Sequence, residues 1–583
     1  MRKTLLISLL ALTTIAARAQ GDDLVIAEDA DKQIAFVSFK TDKNGNRISN
    51  SYSGDIVIPE KSLSGYPVTF INHHTFEGCV NLTSVKIPGT VKFIDHDAFR
   101  KSSLTEITIP ASVDSISEGV FFEMPSLKKV VIEDGPSVLH FACGQQYGGE
   151  GQFSYEHQAV EEAYIGRTFT TTWGSDGHLD APLFEQSETL KKVTLGDQVK
   201  TINFADFYWC SNLEVVNFGK GIQTIEGRAF YQCTKLSAID IIDGVESIGK
   251  EAFYNCKSAK SLTLPNTLKT IGWGAFKNCE SVTELTIPAN VTKIEDEAFL
   301  YTKSLKKVTI ADGTGTLHFG YGMQYGGEGM FTRQPITEAY IGRNTTSDAN
   351  GLFRNNETLL KATVGGDCTE VPNYLFRYCY ALEKASLGKG VSRIGNNAFE
   401  SCKKLNSLEG YPTLKFIGDN AFYDCSAIVS IDFSNDPLEE IGVNAFCNCN
   451  NIVSVSLPAT LKSIGSDAFD DNKSLKQITC LATVPPACGN SGVFYHVNKE
   501  QCKLLVPEGS IDAYKAAEVW KEFFNIEPTG INRVEADASA AGWYSSSFRC
   551  WADRRFSARG KIFPLVLSPR LAPSFGWLTL ATK

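Results

Sequence analysis

The sequence predicts a repeat solenoid of α/β type. About 17 rungs of ~23 residues would stack into one long parallel sheet, with an irregular or short-helical turn side and a cap at each end. Three observations carry this expectation. Phenylalanines recur at a fixed interval, with Phe230, Phe253, Phe276 and Phe299 each 23 residues apart. Each sits in the same phrase, Ile-x-x-x-Ala-Phe-x-x-Cys, as in Ile225 to Cys233, Ile248 to Cys256 and Ile271 to Cys279. An alternating run ended by proline follows, as in Leu285-Thr-Ile287-Pro288. That alternation is the mark of a half-buried strand. A single such rung cannot bury its apolar face, but a stack of them can.

The first residues, 1–19, read as an export signal: Arg2 and Lys3, an apolar core from Leu5 to Ala16, and the small-x-small site Ala17-Arg18-Ala19. Gln20 is the expected mature start. No Cys follows that site, so a lipid anchor is not expected, and no later run reaches the roughly 18 apolar residues of a membrane span. Residues 20–70 precede the ladder. Ile34 to Phe39 and Asp55 to Ile58 read as strands divided by the turn-rich Asp42 to Asn46, a suitable cap for the open end of a solenoid.

The solenoid is expected over residues 71–480. Its ladder runs Phe76, Phe99, Phe121, Phe153, Phe184, Phe207, Phe230, Phe253, Phe276, Phe299, Phe331, Phe353, Phe376, Phe399, Phe422, Phe446 and Phe469. The inward Ile, Ala, Phe and Cys of each return half are unevenly spaced, which suits a tight turn or a short helical arc. The slot three residues after the Phe holds Cys in nine rungs, including Cys79, Cys210, Cys233 and Cys256, but Ser102, Met124, Thr302, Asn356 or Asn472 elsewhere. A position accepting that mixture is a small packing site with an occasional backbone hydrogen bond. Buried thiols are therefore expected in place of a disulfide framework. Among the remaining cysteines, Cys488 with Cys502 or Cys480 is the candidate pair.

The pattern Leu-x-x-Ile-x-Ile-Pro-x-x-Val-x-x-Ile-Gly-x-x-Ala-Phe-x-x-Cys resembles the BspA-like (Treponema-type) leucine-rich repeats over about Phe70 to Cys480. The rungs of Phe153, Phe331 and Phe353 depart from it by replacing Ala or Cys. The resemblance implies a leucine-rich repeat solenoid and a role in adhesion at a cell surface.

Longer irregular rungs, about 133–183 and 311–352, recur as a duplicated block. Leu139-His-Phe141, Gln146 to Gly151 and Ala163 to Arg167 return as Leu317-His-Phe319, Gln324 to Gly329 and Ala339 to Arg343. Residues 481–530 form a terminal cap. Pro485-Pro486 and Leu504 to Pro507 lead to an amphipathic helix that places Ala516, Trp520 and Phe523 on one face. Residues 531–583 read as an atypical tail, disordered or aberrant. Ile531 to Tyr544 resembles the start of a tail module of exported bacterial proteins, but the stretch beyond is rich in Arg.

A net charge of −10 does not favour nucleic-acid binding. The chain has no Gly-x-Ser-x-Gly, no His-Glu-x-x-His and no phosphate loop, so an enzyme, a cofactor and a metal centre are not expected. One recurrent polar set lies on the duplicated bulges, His140 with Glu150 and His318 with Glu328. It reads either as a metal or glycan site displayed twice or, more plainly, as wide turns copied by duplication. Tyr208, Tyr231 and Tyr254 follow the ladder Phe in three consecutive rungs, with Trp209 and Trp273 nearby. They form either a sugar- or protein-binding strip or a stack that covers the turn side. The expected function is a non-enzymatic secreted or cell-surface binding protein for host or neighbouring-cell proteins or glycans. The alternative is a structural module of the cell envelope without a diffusible ligand.

Overall fold

The computed structural model describes residues 14–18, 23–143, 151–154, 159–173, 182–322, 328–347, 351–410 and 413–530. Residues 1–13 of the expected export signal, Gln146, Glu150 and Gln324 of the bulges, and the tail 531–583 lie outside them.

One rung shows how the repeated letters build the chain. In the strand Glu284–Ile287 burial alternates, with Leu285 and Ile287 inward and Glu284 and Thr286 outward. The strand lies parallel to Lys307–Ile310, with Glu284 opposite Lys307 and Ile287 opposite Ile310. Pro288 ends it, and its carbonyl accepts the Val291 amide at 3.2 Å, turning the chain. A second, two-residue strand, Lys293–Ile294, pairs in parallel with Thr270–Ile271 on one side and with Leu317–Phe319 on the other. Val282, Leu285, Ile287, Val291, Ile294, Ala298 and Phe299 are all at most 1% exposed. Every repeated apolar letter of this rung is therefore core.

The solenoid stands as expected, and its sheet is more divided. The longer strands form one parallel column, broken into segments of two to six strands, and the mostly two-residue strands a second, broken into segments of six to eight. The turn side is neither helical nor irregular. Two residues of each regular rung, placed two before and two after the ladder Phe, adopt left-handed backbone, as at Arg228 (φ 56°) and Gln232 (φ 63°). Backbone bonds then join successive turns: Arg228 N to Lys250 O at 2.8 Å, Phe230 N to Ala252 O at 2.7 Å and Gln232 N to Tyr254 O at 2.8 Å. Asn and Asp tolerate the left-handed region best, which explains Asn255, Asn278, Asn397, Asn420, Asn444 and Asn448 at these positions.

The ladder Phe rings stack along the axis at 5.1 Å for Phe207–Phe230 and Phe230–Phe253, with interplanar angles of 8° and 10°. The stack is longer than the sequence suggests. Tyr52 packs on Phe76 at 5.2 Å, and Phe494 stacks on Phe469 at 5.6 Å, so about 19 turns are formed. Repeat geometry accordingly begins at Tyr52, and Ser53–Val57 pairs in parallel with Asn81–Lys86. Ahead of it, Asp23–Asp29 runs antiparallel to Ile34–Ser38, which docks parallel to Val68–Ile71.

At the other end the expected helix is shorter. The α-helix covers Ile511–Ala516, the chain turns at Val519 (φ 69°), and Trp520–Glu522 is a 3-10 turn. Trp520 reaches the last rung from that turn: its Nε1 donates to Pro486 O at 2.9 Å and its ring packs on Phe494 at 5.3 Å. A polar bond explains the break, because Trp Nε1 needs an acceptor once it is buried.

Candidate functional site

The ladder cysteines are thiols with a definite hydrogen-bond role. Cys210, Cys233, Cys256 and Cys279 point their Sγ at the carbonyl oxygen of the Phe one rung earlier, at 3.1 to 3.4 Å. Asn356 and Asn472 replace them with Nδ2 donors to Phe331 O and Phe446 O, both at 2.9 Å. Burial pushes the Cys256 thiol well above its ordinary range and that of Cys279 to about 12. Cys480, Cys488 and Cys502 are also free, so the candidate pair is not formed; the Cys480 sulfur instead receives the Tyr514 hydroxyl at 3.1 Å.

The tyrosine column is brought together as a stack. Tyr208 lies 4.9 Å from Tyr231, and Tyr231 lies 4.7 Å from Tyr254, with interplanar angles of 18° and 7°. The inter-rung bonds Trp209 N to Tyr231 O and Gln232 N to Tyr254 O hold the rings in register. Cations border the stack. The Arg228 guanidinium lies 5.8 Å from the Tyr231 ring and its Nε donates to Glu251 at 2.7 Å. Lys277 Nζ stands 5.9 Å from Tyr254 and 5.4 Å from Trp273, which also receives Lys250 at 4.8 Å. Trp209, 6.3 Å from Tyr208, is 47% exposed and forms the open end of the strip. Burial, followed by the neighbouring Tyr254 and Glu251, raises the Tyr231 hydroxyl pKa.

The bulge histidines sit on the short-strand column. His140 faces Thr170 Oγ1 at 2.7 Å, and His318 faces Thr346 Oγ1 at 3.1 Å. Glu328 binds Arg333 at 2.6 Å, while Glu150 lies outside the described residues. What the duplicated block clearly repeats is an internal staple. Arg167 is fully buried and donates to the carbonyls of Ala111, Pro110 and Val113 at 3.0, 3.0 and 2.7 Å. Arg343 makes the same contacts with Ala289, Pro288 and Val291. Each Arg reaches back more than 50 residues to close the proline turn of an earlier rung.

Two groupings of outward residues come from the stacking itself. On the long-strand face, residues in register alternate in sign, Glu106–Lys129–Glu162–Lys192 in one block and Glu284–Lys307–Glu338–Lys361 in the other. Beside them Tyr164 donates to Asp134 at 2.8 Å and Tyr340 to Asp312 at 2.6 Å, the latter bond and burial raising the Tyr340 hydroxyl to about 12. On the turn side Arg377 lies 5.5 Å from Tyr374 and 4.5 Å from Tyr378, and it pairs with Glu400 at 2.7 Å. Tyr374 and Tyr378 are the two left-handed residues of their rung. That spacing around the ladder Phe was the available signal.

No helix among the described residues is long and apolar enough to cross a membrane. A family model described as BspA type leucine-rich repeat region matches residues 52–142, 178–306, 236–360, 312–382 and 369–496. No curated protein matches the chain. Among solved structures, a leucine-rich repeat protein from Bacteroides ovatus is 20% identical, covering 85% of this chain and 98% of its own, with a TM-score of 0.32. A leucine rich cell surface protein from Faecalibacterium prausnitzii is 18% identical, covering 92% and 99%, with a TM-score of 0.21. The T. pallidum leucine rich repeat protein is 21% identical, covering 33% of this chain and 80% of its own, with a TM-score of 0.22.

Proposed function

The chain belongs to the BspA-type leucine-rich repeat family, and from that premise we propose that it is a non-enzymatic, exported binding protein of the cell surface. It captures protein or glycan ligands of a host matrix or neighbouring cell on the turn side of its solenoid. The observation that carries this reading is the Tyr208–Tyr231–Tyr254 stack with its bordering Arg228 and Lys277 and its exposed Trp209. Aromatic faces pre-stacked by the backbone lose little conformational freedom on binding. Tyr231 is covered on both faces by its neighbours, so the strip offers a row of ring edges and hydroxyls, apolar and polar side by side, which suits both sugars and protein surfaces. A long repeat surface also suits a large partner.

Solid-phase binding to matrix proteins and a glycan array tests the proposal. A Tyr231→Ser/Tyr254→Ser variant is expected to lose about tenfold or more in capture, equivalent to about 1.4 kcal/mol, while its denaturation midpoint stays close to that of the parent. Unchanged capture with both rings removed refutes the strip.

A further inference from the structure

At the amino-terminal end of the turn side, three of the eight histidines of the chain meet in two consecutive rungs. His73 and His74 precede Phe76, and His96 precedes Phe99, with Asp95 and Asp97 on either side of it. The backbone bond His74 N to His96 O, 3.1 Å, places the two turns side by side. His73 stacks on His96 at 5.0 Å and 3°, and His74 meets His96 edge-on at 5.0 Å and 82°. His74, His96 and the buried carboxylate of Asp97 each bring one ligand atom to a common point, all within 4.8 Å of one another.

We propose that His74, His96 and Asp97 form a three-ligand site for a divalent transition metal, zinc being the ion that fits best. Several observations support it beyond proximity. Asp95 Oδ1 is 3.1 Å from His96 Nδ1, and Ser117 Oγ donates to the same oxygen at 3.3 Å. A carboxylate holding one imidazole nitrogen leaves Nε2 as the lone-pair donor, which is the usual outer support of a metal-bound histidine. His74 Nδ1 is buried 2.8 Å from Glu77 Oε2 and 3.8 Å from Asp97 Oδ2, yet it is in hydrogen-bond geometry with neither. That nitrogen faces two carboxylates at once, negative surroundings that favour a positive charge, which a bound cation supplies as well as a proton does.

Glu77 is held by Arg47 at 2.5 Å, while Asp97 turns Oδ1 toward Arg100 at 3.9 Å and Oδ2 toward His74 at 3.8 Å, the oxygen placed to serve as the carboxylate ligand. A tetrahedral ion at ~2.1 Å from each donor draws its ligands to about 3.4 Å of one another. The side chains of His74 and His96 are 31% and 43% exposed, so they can rotate inward by the remaining ångström. Their exposure also leaves the fourth coordination position open to solvent. Two imidazoles and one carboxylate suit zinc, and the same set would take copper or nickel but not the all-oxygen ions calcium and magnesium.

The repeat supplies its own control variant. The rung of Phe399 carries Asn396 and Asn397 where the rung of Phe99 carries His96 and Asp97, and Asn420 and Asn444 occupy the position equivalent to His74. His74→Asn/His96→Asn/Asp97→Asn therefore installs residues that this backbone already accepts at both left-handed positions. Zinc titration against a chromophoric chelator is expected to show one equivalent bound by the full chain and none by the triple variant, with His318→Asn unchanged. Cobalt substitution is expected to give the visible absorption of a tetrahedral site. Zinc should also protect His74 and His96 of the unmodified protein from diethyl pyrocarbonate, a readout that does not depend on the variant folding. Equal binding by the parent and the triple variant, or unprotected histidines under saturating zinc, overturns the proposal.

Discussion

The thiol of Cys233 donates to the carbonyl oxygen of Phe207, 26 residues earlier, at 3.2 Å. The same carbonyl also accepts the Cys210 amide of its own rung, at 3.2 Å. The two lone pairs of a buried peptide oxygen are thus both used, one within a rung and one between rungs. Cysteine fits because it is small and apolar yet carries a weak donor.

Thiol labelling tests this arrangement. The thiolate is the reactive form, and burial holds the Cys256 and Cys402 thiols well above their ordinary range. At neutral pH the native protein is expected to leave the ladder cysteines unlabelled by an alkylating reagent, and among the described cysteines mass mapping should place adducts first on the half-buried Cys447 and Cys488. Rapid native labelling of Cys233 or Cys256 would contradict it.

Arg343 is the second target. Replacing it with Met keeps the length of the side chain and removes the donors to Pro288, Ala289 and Val291. Pro288 O keeps the Val291 amide at 3.2 Å, and each buried carbonyl left without a donor costs about 1–3 kcal/mol. The variant is expected to lose about 3 kcal/mol or more in denaturant unfolding. Amide exchange should rise around residues 288–292 in particular.

At Asn278 the backbone is left-handed, with φ 62°. Asn278→Val puts a β-branched side chain there and is expected to destabilise by about 1–2 kcal/mol. Asn278→Gly, free of the Cβ penalty, should stay within about 0.5 kcal/mol of the parent. Equal midpoints for the two variants would rule out the left-handed turn.

Trp209 separates binding from stability. At 47% exposure it contributes little to the core, so Trp209→Ala is expected to shift stability by less than about 1 kcal/mol. Ligand capture on the solid-phase assay should still weaken. A variant with parental capture would remove Trp209 from the binding strip.

Much of this was legible in the sequence, and the limits are informative. Phe76 to Phe469 were readable because each packs against its own image in the next rung, so the interaction repeats with the letters. The Cys slot was readable as small and buried, but its hydrogen bond to the Phe carbonyl was not, since a thiol donor leaves no distinct compositional trace. Tyr52 and Phe494 escaped because they fill the ladder slot without the surrounding Ala and Cys. Trp520 was assigned to a helix from its spacing, whereas its indole bond to Pro486 required a turn. Arg167 and Arg343 were visible as a duplicated letter, and only the fold placed them inside.

By itself the sequence determined which residues face inward and that the chain is a stacked parallel solenoid. Burial in a repeat is decided by contact with the neighbouring copy, and a fixed period writes that contact into the letters. The tertiary structure alone decided which variable, outward side chains meet. The left-handed residues and the inter-rung backbone bonds set how each turn is aimed. These align Tyr208 with Tyr231 and Tyr254, Arg377 with Glu400, and His74 with His96. Outward residues differ from rung to rung, so their chemistry arises from neighbours across the stack, which no single repeat contains.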